Sequence, residues 1–375
     1  MSFNYLTLLT EKNILAISKK YGFIDESYLE KFIMDFEMHH RIVKQIDGCI
    51  TRGGLCMPFH TPTIEAKRLS IDIDLLTYKT VDEVKDIMDN INNTMTDIKC
   101  EKIVPMKPYP IDNLISYYVE YKSCLTDKDR IKIDFLCNVN IQICSEIIKS
   151  GFELFDFSTK HDIKILSKGS LLGDKLTTMA LGTIGLKLTK QTEIAKQIYD
   201  IGILLNVSKK PDLHISFDTF KSLTDFKISH FNHVPKYTIA DISDNIAKSA
   251  SDFLDLKRAV TVTTNQEKRY LDFHGTYLAK KTIYKKNDHI NDILLLNLYI
   301  KYLCRYLNGK ITQTLAVDSL YNIIEQANKI KDRSTTPQMI ELCKDSIHKS
   351  AKFNTKILKG ASPKHLFLIQ KLYRS

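Results

Sequence analysis

The segment Arg52–Leu76, RGGLCMPFHTPTIEAKRLSIDIDLL, sets two carboxylates, Asp72 and Asp74, one isoleucine apart in an otherwise apolar run. Ser70, Asp72 and Asp74 alternate with Ile71, Ile73 and Leu75. That period of two predicts a β-strand with both acids on one face. Two like charges this close repel, and burying them is unfavourable unless something positive sits between them. The chain is therefore constrained to build a sheet with one greasy face and one face that gathers cations.

The flanking pattern sharpens that reading. The run GCITRGG is a short strand ending in the adjacent glycines Gly53 and Gly54, and RIKIDFL carries a further acid, Asp134, in another β-rich segment. Glycines let backbone N–H groups approach phosphate closely. Magnesium is a hard cation that takes a few carboxylates together with phosphate oxygens and water. A glycine pair, then Arg68-x-Ser70-x-Asp72-x-Asp74, then a β-embedded Asp134 is the pattern of a nucleotidyltransferase-type site. In it Asp72, Asp74 and Asp134 hold one or two magnesium ions against a nucleoside triphosphate. With two ions, one activates the attacking oxygen and the other neutralises the leaving group. Each motif alone is weak, since most glycine pairs mark turns and most Asp-x-Asp pairs are solvated.

The surrounding chain divides in two. Residues 25–46 form an amphipathic helix with Asp25 as its cap and Leu29, Phe32, Ile33, Phe36 and Met38 near helical spacing. VDEVKDIMDNINNTM is a second helix. NLISYYVEYKSC and RIKIDFLCNVN form a hairpin across a short polar link, and HDIKILSKG is another strand. From about residue 171 helices dominate, with later ones expected around 241–260, 264–284, 289–307, 313–331, 337–350 and 363–373. The fold class is α+β: a mixed-sheet nucleotidyltransferase domain over 1–210 and a basic α-helical bundle over 211–375, the boundary falling in the 205–240 region.

Charge follows the same division. The net charge of the 375 residues is +10, of which residues 1–200 contribute about −2 and residues 201–375 about +12. A basic half beside a carboxylate-bearing half points to a polyanionic partner, nucleic acid first, against the plain alternative of a lysine-rich soluble surface. No apolar run is long enough to span a membrane, and the start MSFNYLTLLTEKN lacks the features of a signal peptide. The eight cysteines show no zinc-like spacing and read as reduced thiols of a cytoplasmic protein.

From the helix at 25–46 through GCITRGG and KRLSIDIDLL, the chain resembles the AbiEii-type abortive-infection toxins, a branch of the polymerase-β-like nucleotidyltransferase superfamily. The resemblance rests on the glycine pair, on Arg68 and Ser70 before Asp72 and Asp74, and on KIDFL at Asp134. It extends to GDKLTTMAL with Lys175 and AKQIYDIGILL with Tyr199 and Asp200, and so covers roughly residues 20–205. It implies magnesium-dependent transfer of a nucleotide from an NTP to an acceptor by the toxin half of a toxin–antitoxin pair, with a cognate antitoxin as partner. RNA, tRNA favoured, is the implied acceptor. The alternatives are a protein or small-molecule hydroxyl, or a decayed site that only binds nucleotide or RNA. The chain departs from the family at Leu55, where a hydroxyl residue usually follows the glycines, and at Lys196-Gln197, where Arg-Asp is frequent. The Gly54–Asp72 segment, with Pro58 and Pro62, is also long.

Several residues keep two readings. Lys175 neutralises the triphosphate or is a solvated helix lysine; Asp200 orients Lys175 or the acceptor, or is an ordinary paired acid. Arg68 grips phosphate or pairs with an acid, and Ser70 binds phosphate or sugar or bonds to backbone. His60 reads as a solvent-facing loop histidine ahead of a substrate contact. His39 and His40 read as structural or surface residues. Tyr117 and Tyr118 alternate between core and surface. Tyr270, Tyr284, Tyr299 and Tyr302 pack in helix cores in preference to stacking on bases.

Overall fold

The computed structural model describes residues 9–61, 63, 67–104, 112–230, 237–253, 264–278, 284, 286–330, 337–347 and 361–374. The chain forms two compact units: Met1–Leu171, Asp225–Lys236 and His274–Ile283 make the first, and Leu172–Thr224, Tyr237–Phe273 and Tyr284–Ser375 the second. The expected division after residue 210 falls at the start of a helix within the second unit.

The first unit opens with α1 (Glu11–Tyr21) and α2 (Glu26–Val43). Asp25 caps α2 as its sequence predicts, its carboxylate accepting from the backbone N–H of Ser27 at 3.0 Å and Tyr28 at 3.3 Å, a contribution of about 1 kcal/mol. Leu29, Phe32, Ile33, Phe36 and Met38 are all buried. β1 (Ile50–Arg52) leads into a 3-10 turn (Gly53–Cys56) and the one-turn helix α3 (Met57–His60). These are followed by β2 (Asp72–Leu76), α4 (Val81–Thr94), β3 (Ile98–Lys102), β4 (Leu114–Lys122) and β5 (Lys128–Leu136). Thr80 and Glu83 form a reciprocal capping box at the start of α4. The expected hairpin is β4–β5, antiparallel from Leu114↔Leu136 to Lys122↔Lys128. β6 (Ser145–Ile148), the two-residue strands β7 (Glu153–Leu154) and β8 (Phe157–Ser158), and β9 (Ile163–Leu166) complete the strands.

Seven of these strands form one mixed sheet in the order β3-β4-β5-β2-β1-β9-β6, with β7 and β8 paired separately. β2 lies centrally, antiparallel to β1 and parallel to β5. Ile73, Leu75, Ile133, Phe135, Ile115 and Tyr117 are buried at the alternate positions, so one face of the sheet is apolar core. Tyr117 is buried and Tyr118 half-buried, the alternation expected of them. α2 packs on β2 and β5. Phe32 and Phe36 of α2 meet Phe155 and Phe157 edge to face, with centroids 5.6–6.1 Å apart; such pairs contribute about 0.5–1.5 kcal/mol each beyond their buried area.

The chain passes from the first unit to the second within α5 (Lys168–Thr178). α6 (Gln191–Val207), α7 (Lys210–Ser229), α8 (Ile239–Phe253), α9 (Thr264–Tyr277), α10 (Lys286–Leu307), α11 (Gln313–Lys329), α12 (Pro337–Ile347) and α13 (Pro363–Arg374) follow. The α+β class with a mixed sheet and a helical C-terminal region is therefore as the sequence implied. The expected helix tails over 254–260, 279–283 and 348–350 lie outside the described residues, as does Pro62. In the second unit α10 packs against α6, α8, α11 and α13. Tyr284, Tyr299 and Tyr302 are buried and serve the core; the side chain of Tyr270 lies outside the described residues. Among the described residues no helix is long and apolar enough to cross a membrane. All eight cysteines are free thiols.

Candidate active site

The strand register brings the predicted acids together. Asp72 and Asp74 are two residues apart on β2, and Asp74 lies directly beside Asp134 of β5 in the parallel ladder. Laterally paired residues share a face, as do residues i and i+2. All three carboxylates therefore rise from the same side of the sheet. The row continues in both directions: Asp134 is opposite Ser116 of β4, and Asp74 is opposite Arg52 of β1. One step along, Asp72 pairs with Lys132 of β5.

The charges on this face are balanced from within. Lys132 Nζ lies 2.5 Å from Asp134 Oδ2, and Ser116 Oγ donates to Asp134 Oδ1 at 2.5 Å. Burial works against the Lys132 ammonium, but Asp134, with Asp74 and Asp72 behind it, holds its pKa above the ordinary lysine value. Burial pushes the Asp74 carboxyl up to about 6; Arg52 opposes the shift, the charges of Asp134 and Asp72 add to it, and Lys132 opposes it.

The glycines make room for this arrangement. Gly53 has φ +69°, and a Cβ there would lie 2.0 Å from Asp74 Oδ2, so only glycine fits beneath that carboxylate. At Gly54 a Cβ would meet Ser70 Oγ at 2.3 Å and the Arg68 guanidinium at 2.9 Å. Arg68 is fully buried and its Nη1 donates to the Leu69 carbonyl at 2.8 Å. Ser70 Oγ lies 3.4 Å from the Asp72 carbonyl oxygen, the backbone bond foreseen as its alternative. The two backbones flanking Arg68 are tied to the end of α9: Arg68 bridges Leu278, and the Leu69 N–H donates to the Tyr277 carbonyl at 3.1 Å.

His60 departs from its reading as a solvent-facing loop residue. Leu55, Cys56 and Met57 are fully buried, and their burial folds the expected extended loop into the 3-10 turn and α3. His60 is thereby buried too, its Nε2 2.9 Å from the Leu166 carbonyl and its Nδ1 3.3 Å from Glu146. His39 is structural, as one of its readings held. It is buried, with Nε2 2.6 Å from Thr51 Oγ1 and Nδ1 2.9 Å from His161 Nε2.

In the second unit, Lys175 and Asp200 form an ion pair of 2.6 Å with side-chain exposures of 2% and 0%. Lys175 also donates to Gln197 Oε1 at 3.1 Å. Tyr199 is buried against Phe273 and Tyr284, and Lys196 pairs with Glu193.

Two further residues of the site were not singled out in the sequence, Lys132 and Ser116, and one buried acid of α2, Asp35, was not singled out either. Lys132 was legible, since it precedes Asp134 by two in an alternating strand. Ser116 depends on the register of β4 with β5. Asp35 sits in the apolar face of α2 and is 0% exposed; neither carboxylate oxygen has a hydrogen-bond partner. Burial raises its pKa well above the usual carboxylate range, with the charges of Asp72 and Asp74 adding to the shift.

The donor set fits a hard divalent cation. The three carboxylates offer oxygen donors on one face, and the Gly53 cradle leaves the Asp74 carboxylate its place. Among the described residues, no three acidic, histidine or cysteine side chains are drawn together closely enough to chelate an ion as they stand. Lys132 occupies one oxygen of Asp134, so ligation by that oxygen requires exchange of the ammonium.

Residues 47–273 match the family model described as nucleotidyl transferase AbiEii toxin, type IV toxin–antitoxin system. Among solved structures, MenT4, a nucleotidyltransferase toxin from Mycobacterium tuberculosis, aligns with 82% of this chain and 98% of its own at 10% identity, with a TM-score of 0.41. No curated protein matches the sequence.

Proposed function

Because the chain belongs to the AbiEii nucleotidyl transferase toxin family and is a nucleotidyltransferase, we propose that it transfers a nucleotide from an NTP to RNA, with tRNA the favoured acceptor, in a magnesium-dependent reaction. The observation that carries the reading is the register that sets Asp74 beside Asp134 with Asp72 two residues away on the same face. The toxin acts in the cytoplasm and is restrained by a cognate antitoxin.

Asp72 and Asp74 are the metal-holding carboxylates. Magnesium bound there supplies positive charge to the triphosphate oxygens and to the leaving group. Asp134, oriented through Ser116 and Lys132, takes the proton of the attacking acceptor hydroxyl. Such a carboxylate must lie within hydrogen-bond reach of that proton, and its two fixed oxygen contacts restrict it to one orientation. Gly53 and Gly54 let the turn sit directly beneath the carboxylate, serine and arginine side chains, with Arg68 and Ser70 on the triphosphate side. Lys175, held by Asp200, adds a point charge suited to phosphate. The positive excess of residues 201–375 supports a polyanionic acceptor, whose binding is dominated by phosphate neutralisation.

Each of the four labelled NTPs incubated with total tRNA and magnesium, then resolved by gel, tests the reading. Label on tRNA that EDTA abolishes is the expected result. Label that survives nuclease and is lost to protease would replace RNA by a protein acceptor. No transfer to any acceptor with any NTP would reject the catalytic reading.

A further inference from the structure

The face of the sheet that carries the acids continues past them. Asp72 lies beside Lys132 of β5, and Lys132 lies opposite Tyr118 of β4. Directly paired residues share a face, so Tyr118 stands in the same row as Asp72, two strand spacings or about 10 Å away. α2 covers the other face, where its His39 bonds Thr51, the ladder partner of Leu75. On the acids' own face the side chains open to solvent with distance from Asp134: Tyr118 and Lys132 are half-buried, and Arg130, Lys128 and Lys122 are exposed. The register of β4 with β5 sets these four cations on this face against Glu120, which pairs with Lys128 at 2.8 Å. Arg130 lays its guanidinium 4.1 Å from the centre of the Tyr118 ring.

A planar cation stacked on an aromatic ring is a surface that suits a nucleobase. Unpaired RNA bases stack on tyrosine rings and on arginine planes whatever their sequence, and neighbouring lysines neutralise the phosphates between them. Position selects which nucleotide the pair would meet. Gly53 and Gly54 follow β1, on the side of the acids assigned to the triphosphate. Tyr118 and Arg130 lie on the β4–β5 side, with Asp134, which is assigned to the acceptor hydroxyl. We propose that Tyr118 and Arg130 form a stacking platform for an unpaired base of the RNA acceptor, holding the strand whose hydroxyl reaches Asp134. The proposal rests on the reading of Asp134 as the group that takes the acceptor's proton, and it adds that the acceptor is bound single-stranded. Packing between diagonal cross-strand neighbours is the competing account of the same pair.

Two measurements on the full chain test it: fluorescence anisotropy with a fluorescein-labelled single-stranded RNA, in magnesium without NTP, and steady-state transfer to total tRNA. The variants are Tyr118→Leu, which keeps apolar bulk on the strand and removes the ring, Tyr118→Phe, which keeps the ring, and Arg130→Gln, which removes the guanidinium. Tyr118→Leu and Arg130→Gln should each weaken single-strand binding, and raise the KM for tRNA, by about tenfold or more, the loss expected when a stacked base loses its platform. Their kcat and their KM for NTP should stay within about twofold of the parent, because only acceptor binding has been removed. Tyr118→Phe should bind as the parent does. A purely structural pair gives a lower melting temperature in Tyr118→Leu with an unchanged KM for tRNA, and that result overturns the proposal. So does a rise in the KM for NTP in place of that for tRNA, which assigns the platform to the incoming nucleotide. If Tyr118→Leu and Arg130→Gln bind the single strand and transfer to tRNA as the parent does, the proposal is wrong and the catalytic reading stands. If the parent binds the single strand, these two variants lose it and no NTP is transferred to any acceptor, the catalytic reading falls and the platform stands as an RNA-binding site.

Discussion

Lys175 and Asp200 face each other across 2.6 Å in an interior where neither side chain is more than 2% exposed. Gln197 accepts a further hydrogen bond from the lysine. A pair this deep compensates its own desolvation only while both partners remain. Lys175→Met alone, or Asp200→Leu alone, is therefore expected to lower the unfolding free energy by about 3–5 kcal/mol. The double variant should recover most of that loss. Urea denaturation of the three variants measures it, and transfer assays on the refolded double variant separate stability from any part Lys175 plays with the triphosphate.

Removing either central acid should abolish the reaction. Asp72→Ala and Asp74→Ala are expected to lower NTP transfer by at least about a hundredfold, which corresponds to about 2.7 kcal/mol of transition-state stabilisation, and to relieve any toxicity on expression. Circular dichroism should show the fold intact, since neither side chain is part of the apolar core. Transfer at the parental rate by both variants would contradict the assignment.

Gly53→Ala is expected to act on stability and activity together. Its φ of +69° costs an L side chain about 1–2 kcal/mol. The added methyl also meets the Asp74 carboxylate and must displace it. Chemical denaturation and the transfer assay should both register the change, with activity falling further than stability predicts.

Lys132→Met removes the built-in cation from Asp134. In the metal-free protein the loss should be modest, about 1 kcal/mol, because the pair is partly solvated. Manganese should then raise the melting temperature of the variant by more than it raises that of the parent, since Asp134 no longer has an ammonium to exchange. A smaller rise in the variant would show that Lys132 does not compete with the ion.

The buried histidines set an acid limit on stability. Burial lowers the pKa of His39 to about 3, with His161 and His40 adding to the shift, and burial lowers His161 to about 4, with His40 and Lys44 adding. Both folded-state values lie below the ordinary value of 6.5, so the unfolded chain binds more protons in the window between. Stability is then unaffected by these groups above pH 6.5 and falls as the pH drops from there toward 4. Replacing both by glutamine should flatten that fall, as melting temperatures at pH 7 and pH 4.5 would show.

Local pattern made much of this protein legible. The Asp25 cap and apolar stripe of α2, the alternation of β2 and β5, and the short polar link of the β4–β5 hairpin depend on neighbours within a few residues. Those signals survive in a bare sequence because backbone hydrogen bonding and side-chain periodicity are local. The shared face of Asp72 and Asp74 follows from the same period of two.

What the sequence determined by itself is which side chains a strand or helix turns the same way. The tertiary fold alone decided which of those faces meet. It set Asp134 against Asp74, brought Lys132 and Ser116 onto the same carboxylate, and folded His60 inward with Leu55 and Met57. The reason is physical: strand register and helix docking are fixed by burial summed over many distant residues, and no short stretch of the chain carries that sum.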